Sequence, residues 1–166
     1  MKLNKIILTA LLATLMQHIP YVHAEDRVVY HEASSEEEKA LENILRFTET
    51  DDEFHDFILK IPGYARNNLK EYQTRFTQSL FDSVAKLERD EIKSKCHFTN
   101  PDYATCGLNY RPITCTQEDL ATPYLFYTSK KGENDATIQY KADYSATTYR
   151  MVKKDGNWML DEVRCH

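Results

Sequence analysis

Residues 136–164 read ATIQYKADYSATTYRMVKKDGNWMLDEVR, and this stretch decides the predicted fold. Apolar and polar residues alternate from Ala136 to Ala142, which is typical of an antiparallel strand with one buried face. Asp155-Gly156 lies between two further strand-like runs, and Asp-Gly is one of the strongest short-range signals for a hairpin. A fourth run of β-branched and aromatic residues comes just before the stretch. The predicted strands are 124–129, 136–142, 147–153 and 157–164.

The residues before the strands have helical spacing. Ser35 followed by Glu38 is typical of a capping box and begins a predicted helix over 35–48. Asp51 or Asp52 begins a second predicted helix, which ends at Pro62-Gly63. A third, single long helix is predicted from Asn67 or Asn68 to about Lys93. Helices followed by a meander of strands predict an α+β fold, in which N-terminal helices pack on a curved antiparallel sheet of about four strands.

The carboxyl end carries a family resemblance. Residues 149–165 resemble the ending of small exported bacterial proteins of unknown function, which close with a strand, a polar turn and Trp-x-Ile-Asp-Asp-Val-Arg. Leu160 and Glu162 replace the usual Ile and second Asp, and residues 115–119 resemble the family's Gln-Asp segment. That family is similar to the nuclear-transport-factor-like, cystatin-like α+β cone. The resemblance implies this fold and no chemistry, because the fold hosts enzymes, ligand binders and interaction modules alike.

Met1 to Ala24 has the three parts of a secretory signal peptide. Lys2 and Lys5 precede an apolar run over residues 6–16, and small or medium residues lead to a cleavage site near Ala24. The apolar run is shorter than the roughly 20 residues needed to span a bilayer. We therefore expect a signal peptide over 1–24, a flexible start over 25–34 and one domain over 35–166. The predicted location is the periplasm or the exterior of the cell, with no membrane span.

The charge balance narrows the class of partner. The chain has 21 Lys and Arg against 26 Asp and Glu, a net charge of −5. Without Lys2 and Lys5 of the leader, 19 basic residues face 26 acidic ones, and the net charge is −7. No block of Lys and Arg is present, which argues against nucleic acid as a partner because phosphate binding needs clustered cations. An acidic surface permits attraction to a cationic protein, and it also keeps an exported protein soluble.

The four cysteines agree with export, because an even number in an exported chain indicates disulfides. Zinc is disfavoured because the cysteines lack the close spacing typical of structural zinc sites. Four cysteines allow three pairings, and spacing does not choose between them. The pairing that we expect closes a short loop with one bond and ties the chain end back to an early strand with the other. These expected pairs are Cys96 with Cys106 and Cys115 with Cys165.

A search for catalytic groups finds only weak candidates. His55 has Asp51 and Asp52 three or four positions before it, but the helix dipole explains acidic residues at a helix start better than catalysis does. Asp161 and Glu162 are expected to face opposite sides of a strand, so that one pairs with Arg164 or Arg150 across the sheet and the other meets water. Phosphate-binding glycine loops and nucleophile motifs are missing from the sequence. We therefore expect no catalytic residues, no cofactor and no metal.

Tyrosine supplies the most informative functional signal. The chain has 11 tyrosines, and tyrosine is enriched at protein interfaces because it offers a large rigid surface with a polar tip. It is also a common strand residue. Several tyrosines fall in predicted loops or near strand ends, namely Tyr64, Tyr103, Tyr110, Tyr124, Tyr127 and Tyr144. The predicted interaction surface consists of Tyr103, Tyr110, Tyr124 and Tyr127.

Two functional hypotheses follow. In the first, the chain is a non-catalytic exported protein that binds another macromolecule, for example as an immunity-type inhibitor of a toxic enzyme that acts on the cell envelope. In the second, it is a small-ligand binder or an enzyme that uses the open end of the cone near His55. The second requires a well-formed pocket with convergent polar groups. The second hypothesis would be disfavoured if the side chains of Phe76, Leu80 and Trp158 closed the open end of the cone.

Overall fold

The structure is a computed structural model that describes residues 28–49, 70–95, 107–141 and 146–166. It confirms the predicted α+β fold, with helices first and an antiparallel four-stranded sheet after them. The more specific cone arrangement, the domain boundaries and the signal peptide stay predictions, and the predicted second helix lies outside the described residues. The elements are α1 (Glu36–Glu49), α2 (Lys70–Arg75), α3 (Gln78–Lys95), β1 (Phe126–Lys131), β2 (Asp135–Lys141), β3 (Ala146–Lys154) and β4 (Asn157–Cys165).

The hairpin between β3 and β4 forms where Asp155-Gly156 predicted it. Asp155 and Gly156 both have positive φ, 51° and 82°, and Lys154 pairs with Asn157 across the turn. Positive φ at both central residues is the mirror-image turn whose twist matches that of paired strands. The sheet order is β1-β2-β3-β4, so β1 and β4 are its edges.

The predicted capping box at α1 is also confirmed. The amide of Glu38 donates to Oγ of Ser35 at 3.3 Å, and the amide of Ser35 donates to Oε2 of Glu38 at 3.1 Å. The Thr128 hydroxyl of β1 donates to Oε1 of Glu38 at 2.7 Å, so the cap also fixes α1 to the sheet. Burial alone would raise the pKa of Glu38, but these donors, with the amide and hydroxyl of Ser34, lower it to about 2. The helix start therefore carries a fully hydrogen-bonded, buried carboxylate.

The predicted third helix is wrong in one respect, because it is two helices. α2 ends at Arg75 and α3 begins at Gln78. Between them Phe76 lies beside Leu160 of β4 as an isolated parallel bridge, and the Thr77 amide donates to the Leu160 carbonyl at 3.0 Å. The Thr77 hydroxyl accepts from the amide of Leu80 at 3.3 Å and so caps α3. Pairing with the sheet edge interrupts a helical pattern that the sequence carries through without a break.

The core lies between the helices and one face of the sheet. Inward side chains alternate along the strands, for example Ala136, Ile138 and Tyr140 on β2, as their pattern predicted. Phe76 and Leu80 are each 1% exposed, and Trp158 is partly buried against the same cluster. The largest fully buried side chains are Tyr72, Tyr140, Tyr149, Phe76, Phe126, Leu41, Leu45, Leu80, Ile113 and Ile138.

Candidate binding site at the edge of the sheet

A disulfide joins the end of β4 to the long loop before the sheet. Cys115 and Cys165 are bonded, with their Cα atoms 5.5 Å apart, across 50 residues of chain. This confirms one of the two expected pairs, although Cys115 lies in a loop and not in the expected early strand. Cys96 and Cys106 lie outside the described residues, so their bond stays a prediction. Because disulfides persist in oxidising compartments, the bond is consistent with an exported protein.

Buried tyrosines fasten the loop that carries Cys115. The Tyr149 hydroxyl donates to the carbonyl of Ile113 at 3.0 Å, and the Tyr140 hydroxyl donates to the carbonyl of Ala121 at 3.0 Å. Burial raises the pKa of Tyr149, so its hydroxyl stays a donor across the physiological range. At the start of the loop, the Leu108 amide donates to Glu88 of α3 at 2.8 Å. The loop is therefore a fixed wall beside β4.

A β-bulge in β4 redirects its side chains. Arg150 pairs with Glu162 and Met151 pairs with Leu160, so Asp161 is an extra residue without a partner on β3. The bulge shifts the alternation by one residue. Leu160 and Val163 therefore both pack on the core, while Glu162 lies between them on the other face with Arg164. In an unbroken strand Glu162, two residues from Leu160, would have faced the core.

Asp161 uses its position in the bulge to bind both the helix break and the sheet. Its Oδ1 accepts from the hydroxyl of Thr77 at 2.7 Å, and its Oδ2 accepts from Arg150 at 3.0 Å. Glu162 pairs instead with Arg164, at 2.7 and 3.2 Å. The hydrogen bond from Arg164 lowers the pKa of Glu162 against the opposing effect of burial. Arginines thus hold both carboxylates, whereas the sequence predicts that one of them is paired and the other meets water.

A hollow of about 190 Å³ lies between α3, the loop and the second half of β4. Its lining is mostly apolar, with Ser83, Tyr110 and Glu162 as the polar side chains. The i, i+3, i+4, i+7 spacing from Leu80 to Leu87 places one face of α3 along it. This face covers the core at Leu80 and then runs past it, which leaves Leu87 46% exposed. The lining residues are Leu80, Ser83, Val84, Leu87, Tyr110, Pro112, Glu162, Val163 and Cys165.

The lining shows that this hollow runs along the edge of the sheet. Glu162 and Val163 are neighbours whose side chains point to opposite faces of β4, yet both line the hollow. Because consecutive residues of this edge strand line the space together with α3 and the loop, we place the hollow beside the strand. On its first half, this edge is already occupied by Thr77 at Leu160. We refer to the hollow beside residues 162–165 as the edge hollow.

The predicted interaction surface is divided by the structure. Tyr110 lines the edge hollow and is partly buried there; burial first and Glu91 second raise the pKa of its hydroxyl. Tyr127 lies on the outer face of the sheet, half-buried against Tyr30, with ring centroids 6.1 Å apart. Tyr124 is 3% exposed and donates to Glu49 of α1, so it belongs to the core and not to an exposed surface. Tyr103 lies outside the described residues, as do Tyr64, Tyr144 and His55.

Leu87 is the surface residue that sequence reasoning did not single out. Its helical spacing places it on the same face of α3 as Leu80 and Val84, which are buried. Exposure at this position depends on where β4 ends relative to the helix, and the sequence of α3 holds no such information. The only signal of this exposure would have been an apolar stripe on α3 that is longer than the part of the sheet it covers.

The outer face of the sheet is a second, polar candidate surface. Arg150, Arg164 and Glu162 surround a small depression there with Thr137 and Thr148, of about 40 Å³. Both arginines are engaged in the ion pairs with Asp161 and Glu162. They are therefore less suited to hold an external anion than free cations would be.

Comparisons with protein-family models, curated proteins and solved structures find no match to this chain. Within residues 28–49, 70–95, 107–141 and 146–166, no three His, Cys, Asp or Glu side chains are placed to hold a metal ion. Among the same residues, no helix combines the length and apolar composition that a membrane crossing requires.

Proposed function

We propose that this chain is a non-catalytic exported protein that binds another protein through the edge hollow. The observation that carries the proposal is the exposed apolar side chain of Leu87 beside Tyr110 and Val163, on a wall held rigid by a disulfide and buried tyrosines. Protein interfaces favour an apolar centre with aromatic residues and a polar rim. Glu162 and Arg164 supply such a rim here.

The size of the hollow favours a protein side chain over a free small ligand. Pockets for small molecules are about 300–1,000 Å³, and the edge hollow has about 190 Å³. The alternative, a ligand binder or enzyme at the open end of the cone, is weakened by the buried positions of Phe76 and Leu80, the residues expected to close that mouth. The net charge of −5 adds attraction to a cationic partner.

The disulfide and the predicted signal peptide together support a location in the periplasm or outside the cell. A concrete form of the proposal is an immunity-type inhibitor that neutralises an enzyme acting on the cell envelope. Such a role needs a stable, exported binding surface and no active site of its own.

Capture from envelope extracts of the encoding organism tests the proposal. The bait is the tagged, oxidised chain from Glu25, compared with Leu87→Glu and with Arg89→Ala on the same helix. Both substitutions lower the net charge by one, but only the first puts a carboxylate in the hollow. We expect one protein to be retained by the natural chain and by Arg89→Ala, and lost with Leu87→Glu because burying an unpaired charge is costly. Retention by all three baits, or by none, would overturn the proposal.

A further inference from the structure

We infer that the edge of β4 beyond Leu160 binds an extended segment of the partner, which adds a fifth strand to the sheet. This inference rests on the proposed function and specifies how the edge hollow is filled. An exposed sheet edge presents a row of unpaired backbone donors and acceptors, and several peptide-binding domains use it to add a strand.

The protein already uses this edge in the same way. Thr77 donates its amide to the carbonyl of Leu160 at 3.0 Å, and Phe76 forms a parallel bridge there. The chain then turns away into α3, so its own extended segment covers only the first half of the edge. Within the described part of the chain, no backbone group hydrogen-bonds to residues 162–165 from the side away from β3. The open edge therefore continues directly from an edge that is paired.

The hollow lies beside the path that the added strand would follow. Neighbouring strands are about 4.7–4.9 Å apart, and their side chains alternate between the two faces. An added strand beside Val163 would point every second side chain between Leu87 and Tyr110, and the others towards Glu162 and Arg164. The first set faces apolar walls, and the second faces an exposed ion pair. The occupant that fits is an extended segment in which apolar and polar residues alternate.

The hollow is sized for a side chain of such a strand. At about 190 Å³ it is smaller than a typical ligand pocket. Two turns of α3 form the far wall, where Leu80, Val84 and Leu87 are apolar and Ser83 is polar. Main-chain hydrogen bonds to β4 would give affinity, and the fit of alternate side chains would give specificity.

Selection from a phage-displayed library of short linear peptides tests the inference without knowledge of the partner. Peptides are selected on the oxidised chain from Glu25 and counter-selected on Leu87→Glu, with Arg89→Ala as the control that must still bind. Each backbone amide of an enriched peptide is then methylated in turn, which removes one donor and leaves the side chain unchanged. We expect affinity to fall at least about tenfold at every second position and little between them, because only alternate amides of a strand face its neighbour.

Three results would overturn the inference. Methylation effects without a period of two would exclude an added strand while leaving the proposed binding of a protein intact. Failure to enrich any peptide against the Leu87→Glu counter-selection would remove the extended segment as the occupant. Concentration-dependent dimerisation in sedimentation, abolished by Leu87→Glu and kept by Arg89→Ala, would make a second copy of this chain the occupant instead.

Discussion

The Thr77 hydroxyl donates a hydrogen bond of 2.7 Å to Oδ1 of Asp161, and this contact joins the break between two helices to the bulge of an edge strand. The same threonine caps α3, and the same aspartate binds Arg150 of β3. Two local irregularities thus stabilise each other. Among the described residues, backbone pairing along this edge of β4 ends at Leu160, and the edge hollow lies beyond it.

We expect Thr77 and Asp161 to be energetically coupled. Thr77→Val removes both the helix cap and the donor to Asp161, and should lower the free energy of unfolding by about 1–3 kcal/mol. Thr77→Ser keeps the hydroxyl and should recover most of that loss. In a double-mutant cycle with Asp161→Ala, measured by urea unfolding, residues in direct contact show coupling of about 0.5–3 kcal/mol. Additive effects of the two substitutions would contradict this account of the bulge.

The Cys115–Cys165 bond is expected to contribute to stability and to the shape of the hollow. Replacing both cysteines with alanine should lower the free energy of unfolding by about 2–5 kcal/mol, since the bond closes a long loop. Urea unfolding without reductant measures the effect. Peptide mapping without reductant should also recover the expected Cys96–Cys106 bond. An unchanged free energy of unfolding would show that the bond does not hold the loop to β4.

The lowered pKa of Glu38 predicts that its contribution to stability is lost in acid. Its pKa is lowered from 4.5 to about 2 in the folded chain, so the carboxylate adds stability above its unfolded pKa. That contribution is lost progressively as the pH falls from about 4.5 towards 2. Glu38→Gln should therefore be less stable than the natural chain at pH 7, with the difference shrinking in acid. The matched control is Glu42→Gln, which breaks only an exposed pair with Arg46 and should change stability by about 0–1 kcal/mol.

A stability difference for Glu38→Gln that stays the same from neutral to acidic pH would contradict the lowered pKa. Urea unfolding at a series of pH values supplies the measurement for both variants.

The buried tyrosines are expected to act through their hydroxyls on stability and not on binding. Tyr149→Phe leaves the carbonyl of Ile113 unpaired in the core and should cost about 1–3 kcal/mol. Tyr127→Phe, at a half-buried position on the outer face, should cost under about 0.5 kcal/mol. Partner binding should be unchanged in both variants. Equal effects of the two substitutions on urea unfolding would argue against the loop being fastened by Tyr149.

The elements of the sheet were predictable because their signals are local. Alternation between Ala136 and Ala142 and the Asp155-Gly156 turn each act over a few residues, and the structure follows both. The capping box of Ser35 and Glu38 was readable for the same reason. One disulfide was also anticipated, because the even number of cysteines predicted two bonds and Cys165 lies far along the chain from the other three.

The candidate site was not predictable, because it depends on contacts between distant segments. The break at Thr77 requires the carbonyl of Leu160, which lies more than 80 residues away in the chain. No turn residue in the sequence indicates the bulge at Asp161. Tyrosine identity alone did not separate Tyr110, which lines the hollow, from Tyr124, which is buried. Exposure is set by the packing of helix against sheet, and not by residue type.

Amide hydrogen exchange tests whether the partner binds along the edge of β4 beyond Leu160. The oxidised chain from Glu25 is measured alone and with the partner protein that it captures. We expect slower exchange in β4 beyond Leu160 and in the α3 turn around Leu87, with β1 and β2 unchanged. Slower exchange across β1 and β2, with residues 162–165 unaffected, would place the interface on the outer face of the sheet and contradict the account.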